Sequence, residues 1–121
     1  MPSMESNMSE AQPNGSRSPF YRVDKFAVPT EGRAEFLEKV AATHALLRQQ
    51  QGFVRDLIME QESGPGTFNF VTLVEWSAPE VVEHVAPAVA ALHKSMGFNP
   101  AEFMQKLGIK ADIANYRRVD I

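Results

Sequence analysis

Gly52-Phe53-Val54-Arg55-Asp56-Leu57-Ile58-Met59-Glu60 and Phe68-Asn69-Phe70-Val71-Thr72-Leu73-Val74-Glu75-Trp76 are two aromatic and β-branched runs separated by a segment holding Ser63-Gly64-Pro65-Gly66. Runs of this composition on either side of a glycine–proline cluster read as two strands joined by a turn. Alternation along the second run puts Phe68, Phe70, Thr72, Val74 and Trp76 on one side and Asn69, Val71, Leu73 and Glu75 on the other. Both sides carry large apolar groups.

Upstream of this hairpin, residues 20–28 (Phe-Tyr-Arg-Val-Asp-Lys-Phe-Ala-Val) suit a strand that Pro29 ends. Thr30 is then expected to cap a helix with Glu31 in its first turn. Leu37, Val40, His44 and Leu47 recur at spacings of three and four along it, widened by Phe36 and Ala41, and Gly52 is the expected stop. Downstream, Ser77 is the expected cap of a second helix with Pro79 and Glu80 in its first turn. Val85, Val89, Leu92 and Met96 form its apolar stripe, and Pro87 is expected to kink it or to open a new helix. Asn99-Pro100 starts a short helix through Phe103, Met104 and Leu107 that stops at Gly108. Residues 111–119 read as a last strand whose charges suit an edge or a partner contact.

The order is β-α-β-β-α-β, which folds as an α+β, ferredoxin-like protomer: a four-stranded antiparallel sheet with helices on one face. The uncovered face is too apolar to stay wet, so the expected assembly is a homodimer whose sheet faces pack together and close an α+β barrel. Residues 20–121 form this domain. Residues 1–19, rich in Ser, Asn, Pro, Met and Glu, are expected to be a flexible tail, or else a segment that docks on a partner through Met1, Met4 and Met8.

Composition narrows the function. The 121 residues, 44% hydrophobic, suffice for one core. A formal net charge of −3 argues against a nucleic-acid partner. No apolar run is long enough to span a bilayer, and residues 1–19 lack a secretory pattern, so a soluble, cytoplasmic protein is expected. With no cysteine there is neither a disulfide nor a thiolate site. Nucleotide-binding glycine motifs are absent, no His spacing makes a metal site, and none is expected.

From Phe20 to Trp76 the chain resembles the antibiotic biosynthesis monooxygenase family, through Val28-Pro29, Leu46-Leu47 with Gly52-Phe53-Val54, and Val74-Glu75-Trp76. The rest, down to Tyr116-Arg117-Arg118-Val119, is similar to that family's second half. The resemblance implies a dimeric α+β barrel. It also implies one of several activities: cofactor-free oxidation of polycyclic phenols to quinones, haem degradation, or action on small quinone-like molecules.

Cofactor-free oxygenation requires an apolar cavity, a group that holds a substrate anion and a donor to the peroxide. His93, Trp76 and Asn69 are the catalytic candidates; His44, His84, Tyr116 and the cations Arg55 and Lys25 are candidates for binding a small aromatic or hydrophobic ligand. Each has a plainer reading: Trp76 as a packing anchor, His44 as a satisfied core histidine, His84 as a surface residue, Asn69 as a strand residue facing solvent or the interface. The haem-degrading branch resembles this chain at His93, where an iron ligand falls, but Lys25 stands at the position of its Asn, and only His84 and Val85 lie near that of its Trp. The expectation is therefore a monooxygenase without cofactor; the alternatives are a non-catalytic binder of a small hydrophobic ligand and a haem-binding protein using His93.

Overall fold

The computed structural model describes residues 19–121. The expected tail, with Met1, Met4 and Met8, lies outside the described residues save for Pro19. The elements follow as β1 (Phe20–Ala27), a 3-10 turn (Thr30–Gly32), α1 (Arg33–Leu47), β2 (Phe53–Glu60), β3 (Phe70–Trp76), α2 (Val81–Ser95), α3 (Pro100–Leu107) and β4 (Lys110–Tyr116). All neighbouring strands are antiparallel in the order β2-β3-β1-β4, so the fold is the ferredoxin-like α+β arrangement. As its charges suggest, β4 is an edge strand.

Local details depart from the sequence reading in several places. Thr30 caps nothing: Pro29 precedes the 3-10 turn, and α1 begins only at Arg33. Nor does Ser77 cap α2, which starts after Glu80. Pro87 sits inside one unbroken α2 rather than opening a second helix. Glu83, four residues earlier, and Pro87 are both exposed, so water can serve the carbonyl that proline leaves without a donor. The α3 reading holds: the Asn99 side chain accepts from Glu102 N at 3.1 Å, Pro100 is the first helical residue, and Gly108 ends it at φ 71°.

Gly52 marks the entry to β2 at φ 91°, and a Cβ there would lie 2.7 Å from both Val81 methyls. The first turn of α2 therefore rests directly on the backbone at this point. Ser77 N donates to Gly52 O at 2.8 Å and closes the same corner.

Register assigns the strand residues to faces. Phe20, Arg22, Asp24 and Phe26 of β1 stand opposite Trp76, Val74, Thr72 and Phe70 of β3, the alternate residues that are buried beneath the helices. The core under the helices is divided in two. Val28, Phe36, Phe70 and Ile109 form one cluster, with Phe26 and α3 against it; Leu47, Val74, Trp76 and Val85 form the other, with Phe20 and Phe53. Between these aromatic ends, at mid-strand, lie Arg22, Asp24 and Thr72. No helix among the described residues is long and apolar enough to cross a membrane.

Candidate functional site

The gap between the two clusters is a cavity of about 720 Å³, roofed by α1 and α2 and floored by β1 and β3. A smaller lobe of about 270 Å³ continues it toward Phe36 and Phe103. Arg22, Asp24, Thr43, His44, Thr72 and His93 line both lobes, so the polar groups are concentrated at the waist and the ends are apolar.

His44 lies on the buried stripe of α1, only 5% exposed. Its Nδ1 is 2.8 Å from Asp56 Oδ2 on β2. Arg48, one turn along α1, donates to the same carboxylate from Nε at 3.0 Å and Nη2 at 2.9 Å. Burial pushes Asp56 upward, but the hydrogen bonds from Arg48 and His44 prevail and hold it below the usual carboxylate range. An ionised Asp56 only accepts, so His44 Nδ1 carries the proton of this hydrogen bond. Its Nε2 has no protein hydrogen-bond partner among the described residues, and His44 is among the residues that line the cavity.

Asp24 occupies the floor. Arg22 Nε donates to its Oδ1 at 2.8 Å. Burial raises its carboxyl above the ordinary range, outweighing the Arg22 charge and hydrogen bond that lower it.

His93 faces the cavity from α2. Thr43 Oγ1 lies 3.0 Å from His93 Nε2 and 3.0 Å from the Lys39 carbonyl. A carbonyl only accepts, so both contacts are satisfied when Thr43 donates to Lys39 and His93 Nε2–H donates to Thr43. Burial lowers the His93 pKa and favours this neutral ring, which packs edge-on against Phe98 at 5.1 Å. As placed, His93 does not fit an axial haem ligand. Its Nε2 is engaged, and Nδ1 is hindered by the ring's own attachment to the chain.

Of the residues expected from sequence, His93, His44 and Trp76 meet at the cavity; Trp76 is 3% exposed and packs edge-on to Phe53. The others do not line it. Asn69 clamps the chain after β1, accepting from Val28 N at 2.8 Å and donating to Val28 O at 2.9 Å. His84 is exposed on α2. Lys25 and Tyr116 fall on the outer face of the sheet, since Lys25 pairs with Val71 and Tyr116 with Tyr21. Arg55 is also on the outer face, bound to Glu75 at 2.7 Å, because a register shift between Phe53 and Arg55 reverses the alternation of β2.

That bulge also turns Asp56 inward, which explains why strict alternation from Phe53 misses it. Asp24 carried a readable signal: it and Arg22 share the parity of Phe20 and Phe26, and a charged pair between two buried aromatics marks a wet interior. Thr43 carried none.

No family model and no curated protein matches the sequence. Solved structures do. The cofactor-independent oxygenase SnoaB of Streptomyces nogalater superposes at a TM-score of 0.61 with 19% identity, over 86% of this chain and 96% of that one. A protein of Deinococcus radiodurans provisionally assigned as an antibiotic biosynthesis monooxygenase gives 0.61 with 18% identity, over 84% and 94%. A variant of MhuD carrying two manganese protoporphyrin IX molecules per active site gives 0.61 with 17% identity, over 84% and 97%. The chain thus has the fold of the antibiotic biosynthesis monooxygenases, on a scaffold that in other proteins serves both cofactor-free and porphyrin-bound sites.

Proposed function

We propose that the chain is a member of the antibiotic biosynthesis monooxygenase family and acts as a cofactor-independent monooxygenase on a small phenolic or quinol-like aromatic. One observation carries this reading: a buried histidine, held at Nδ1 by a partly buried carboxylate and with no protein partner for its other nitrogen among the described residues, lines a cavity with apolar ends. His44 Nε2 takes the substrate's acidic proton, and the guanidinium of Arg22 steadies the resulting anion. An electron-rich anion reduces O2 directly. When a ring methylene becomes a carbonyl it gives up four electrons, one oxygen atom entering the product and the other leaving as water. No external reductant is required. Trp76 and the α2 valines supply the flat apolar wall.

The test is oxygen uptake with a panel of anthrones and hydroquinones. Turnover that requires O2, falling by a factor of about 10²–10⁴ in His44→Ala while the compounds still bind, is the expected result. Binding with no oxygen uptake by the wild type would replace the oxygenase with a carrier.

The working unit in this reading is a homodimer, with the cytoplasm as its proposed setting. Leu57 and Met59, 47% and 44% exposed, share the outer face with Val23, Val71 and Leu73. A second copy of the same face is the self-complementary cover for such a surface. Sedimentation at micromolar concentration should give twice the mass of the 13.5 kDa chain.

A further inference from the structure

The site holds two carboxyl groups in opposite circumstances. Asp56, on the edge strand β2, is bound by His44 and Arg48. Asp24, on the central strand β1, receives a single hydrogen bond, from Arg22 to Oδ1, and its Oδ2 has no partner among the described residues. It lines both lobes, at the waist where the middle of a flat substrate spanning them must pass. A structural ion pair does not need to stand at this position, since Arg22 and Asp24 are neighbours of one parity that interrupt the apolar core.

We propose that Asp24 is the acid of this site, handing its proton to the departing oxygen when the O–O bond of a substrate hydroperoxide breaks, while His44 acts as the base. The proposal rests on the oxygenase reading above and deepens it. In the first half of the reaction His44 takes a proton from the substrate, O2 adds to the carbanion carbon, and the peroxide anion recovers that proton. The product is a secondary hydroperoxide, its oxygenated carbon still bearing one hydrogen, with His44 neutral again. In the second half His44 Nε2 removes that remaining C–H proton, the electron pair it leaves behind becomes the second bond of the carbonyl, and the O–O bond breaks. The leaving hydroxide takes the Asp24 proton and departs as water, so one hydroperoxide gives one ketone and one water. The proton now on His44 returns to Asp24 through cavity water, and both groups are restored. Oppositely displaced carboxyls divide roles in this way: the one shifted up takes and gives a proton more readily, and the one held down stays charged to orient the base.

Asp24→Asn keeps the shape and can still accept from Arg22, but it has no acidic proton. With an anthrone as substrate, the wild type should form one quinone per O2 consumed. Asp24→Asn should take up O2 with a KM near that of the wild type and release hydroperoxide, visible in a peroxidase-coupled assay, with quinone per O2 reduced at least about tenfold. Asp24→Glu should restore part of the yield. An unchanged quinone-to-O2 ratio in Asp24→Asn overturns the acid role and leaves the oxygenase reading standing, as does loss of O2 uptake with binding intact. A wild type that consumes no O2 removes both. Should Asp24→Asn fail to fold, Asp24→Ser is read by the same ratio.

Discussion

Beneath the helices the two central strands carry Arg22, Asp24 and Thr72 at mid-length, whereas at the same level the opposite face carries Val23, Val71 and Leu73. The face that should form a core is polar in its middle, and the face that should meet water is apolar. Each arrangement costs stability or solubility for a chain on its own, since buried polar groups want partners and large exposed apolar patches seek cover. The contrast teaches that neither face is explained by the stability of a lone protomer. In the proposed reading, the inner one awaits a substrate and the outer one a second copy.

Four substitutions break or sharpen that contrast. The largest effect belongs to Trp76→Ala, which removes the inner face's anchor where it meets Phe53; a loss of about 3–5 kcal/mol is expected in denaturant unfolding. Next is Leu73→Asp at the centre of the outer face. An unpaired charge buried in the proposed dimer costs about 3–5 kcal/mol, so sedimentation should find monomers at concentrations where the proposed wild-type dimer forms, with the fold preserved. If Leu73→Asp leaves association untouched, the outer face has some other use.

Asp56→Asn comes third, at about 1–3 kcal/mol near neutral pH, because His44 and Arg48 lose a charged acceptor. The folded protein holds Asp56 below its unfolded pKa. Its stabilisation is therefore complete above the unfolded value and disappears as pH falls through the folded one. Wild-type and variant melting temperatures should converge in acid. The smallest effect has the opposite sign. Asp24 is raised on folding, so its contribution is complete below the unfolded pKa and is lost as pH rises through the folded one. Asp24→Asn should melt slightly higher than the wild type at pH 7 and no higher at pH 3. In the proposed reading, such a residue is retained for the reaction and not for the fold.

The order of elements along the chain and the apolar outer face were legible because period-two alternation and the Asn99-Pro100 and Gly108 signals are local. His44, Trp76 and His93 were legible for the same reason: each lies on an apolar stripe or strand face that must turn inward. Arg55 and Asp56 were not. One inserted residue after Phe53 reverses every later side chain of β2, and nothing in Gly52-Phe53-Val54-Arg55 announces it. Lys25 and Tyr116 failed differently, since charge and a hydroxyl suggested chemistry while parity with Val23 and Tyr21 sends them to the other side. The Asn69 amide was legible as polar, but its pairing with Val28, 41 positions away, is visible only in three dimensions.

The Val81 methyls rest where a Gly52 side chain would begin, so α2 starts at about the lowest height above the sheet that a polypeptide allows. Headroom beside Trp76 is thus governed by a carbon atom that is missing. Any bulkier residue there must displace the start of α2, and with it the roof above Trp76. In the proposed reading, the gauge of what this chamber accepts is set at one backbone position outside its lining.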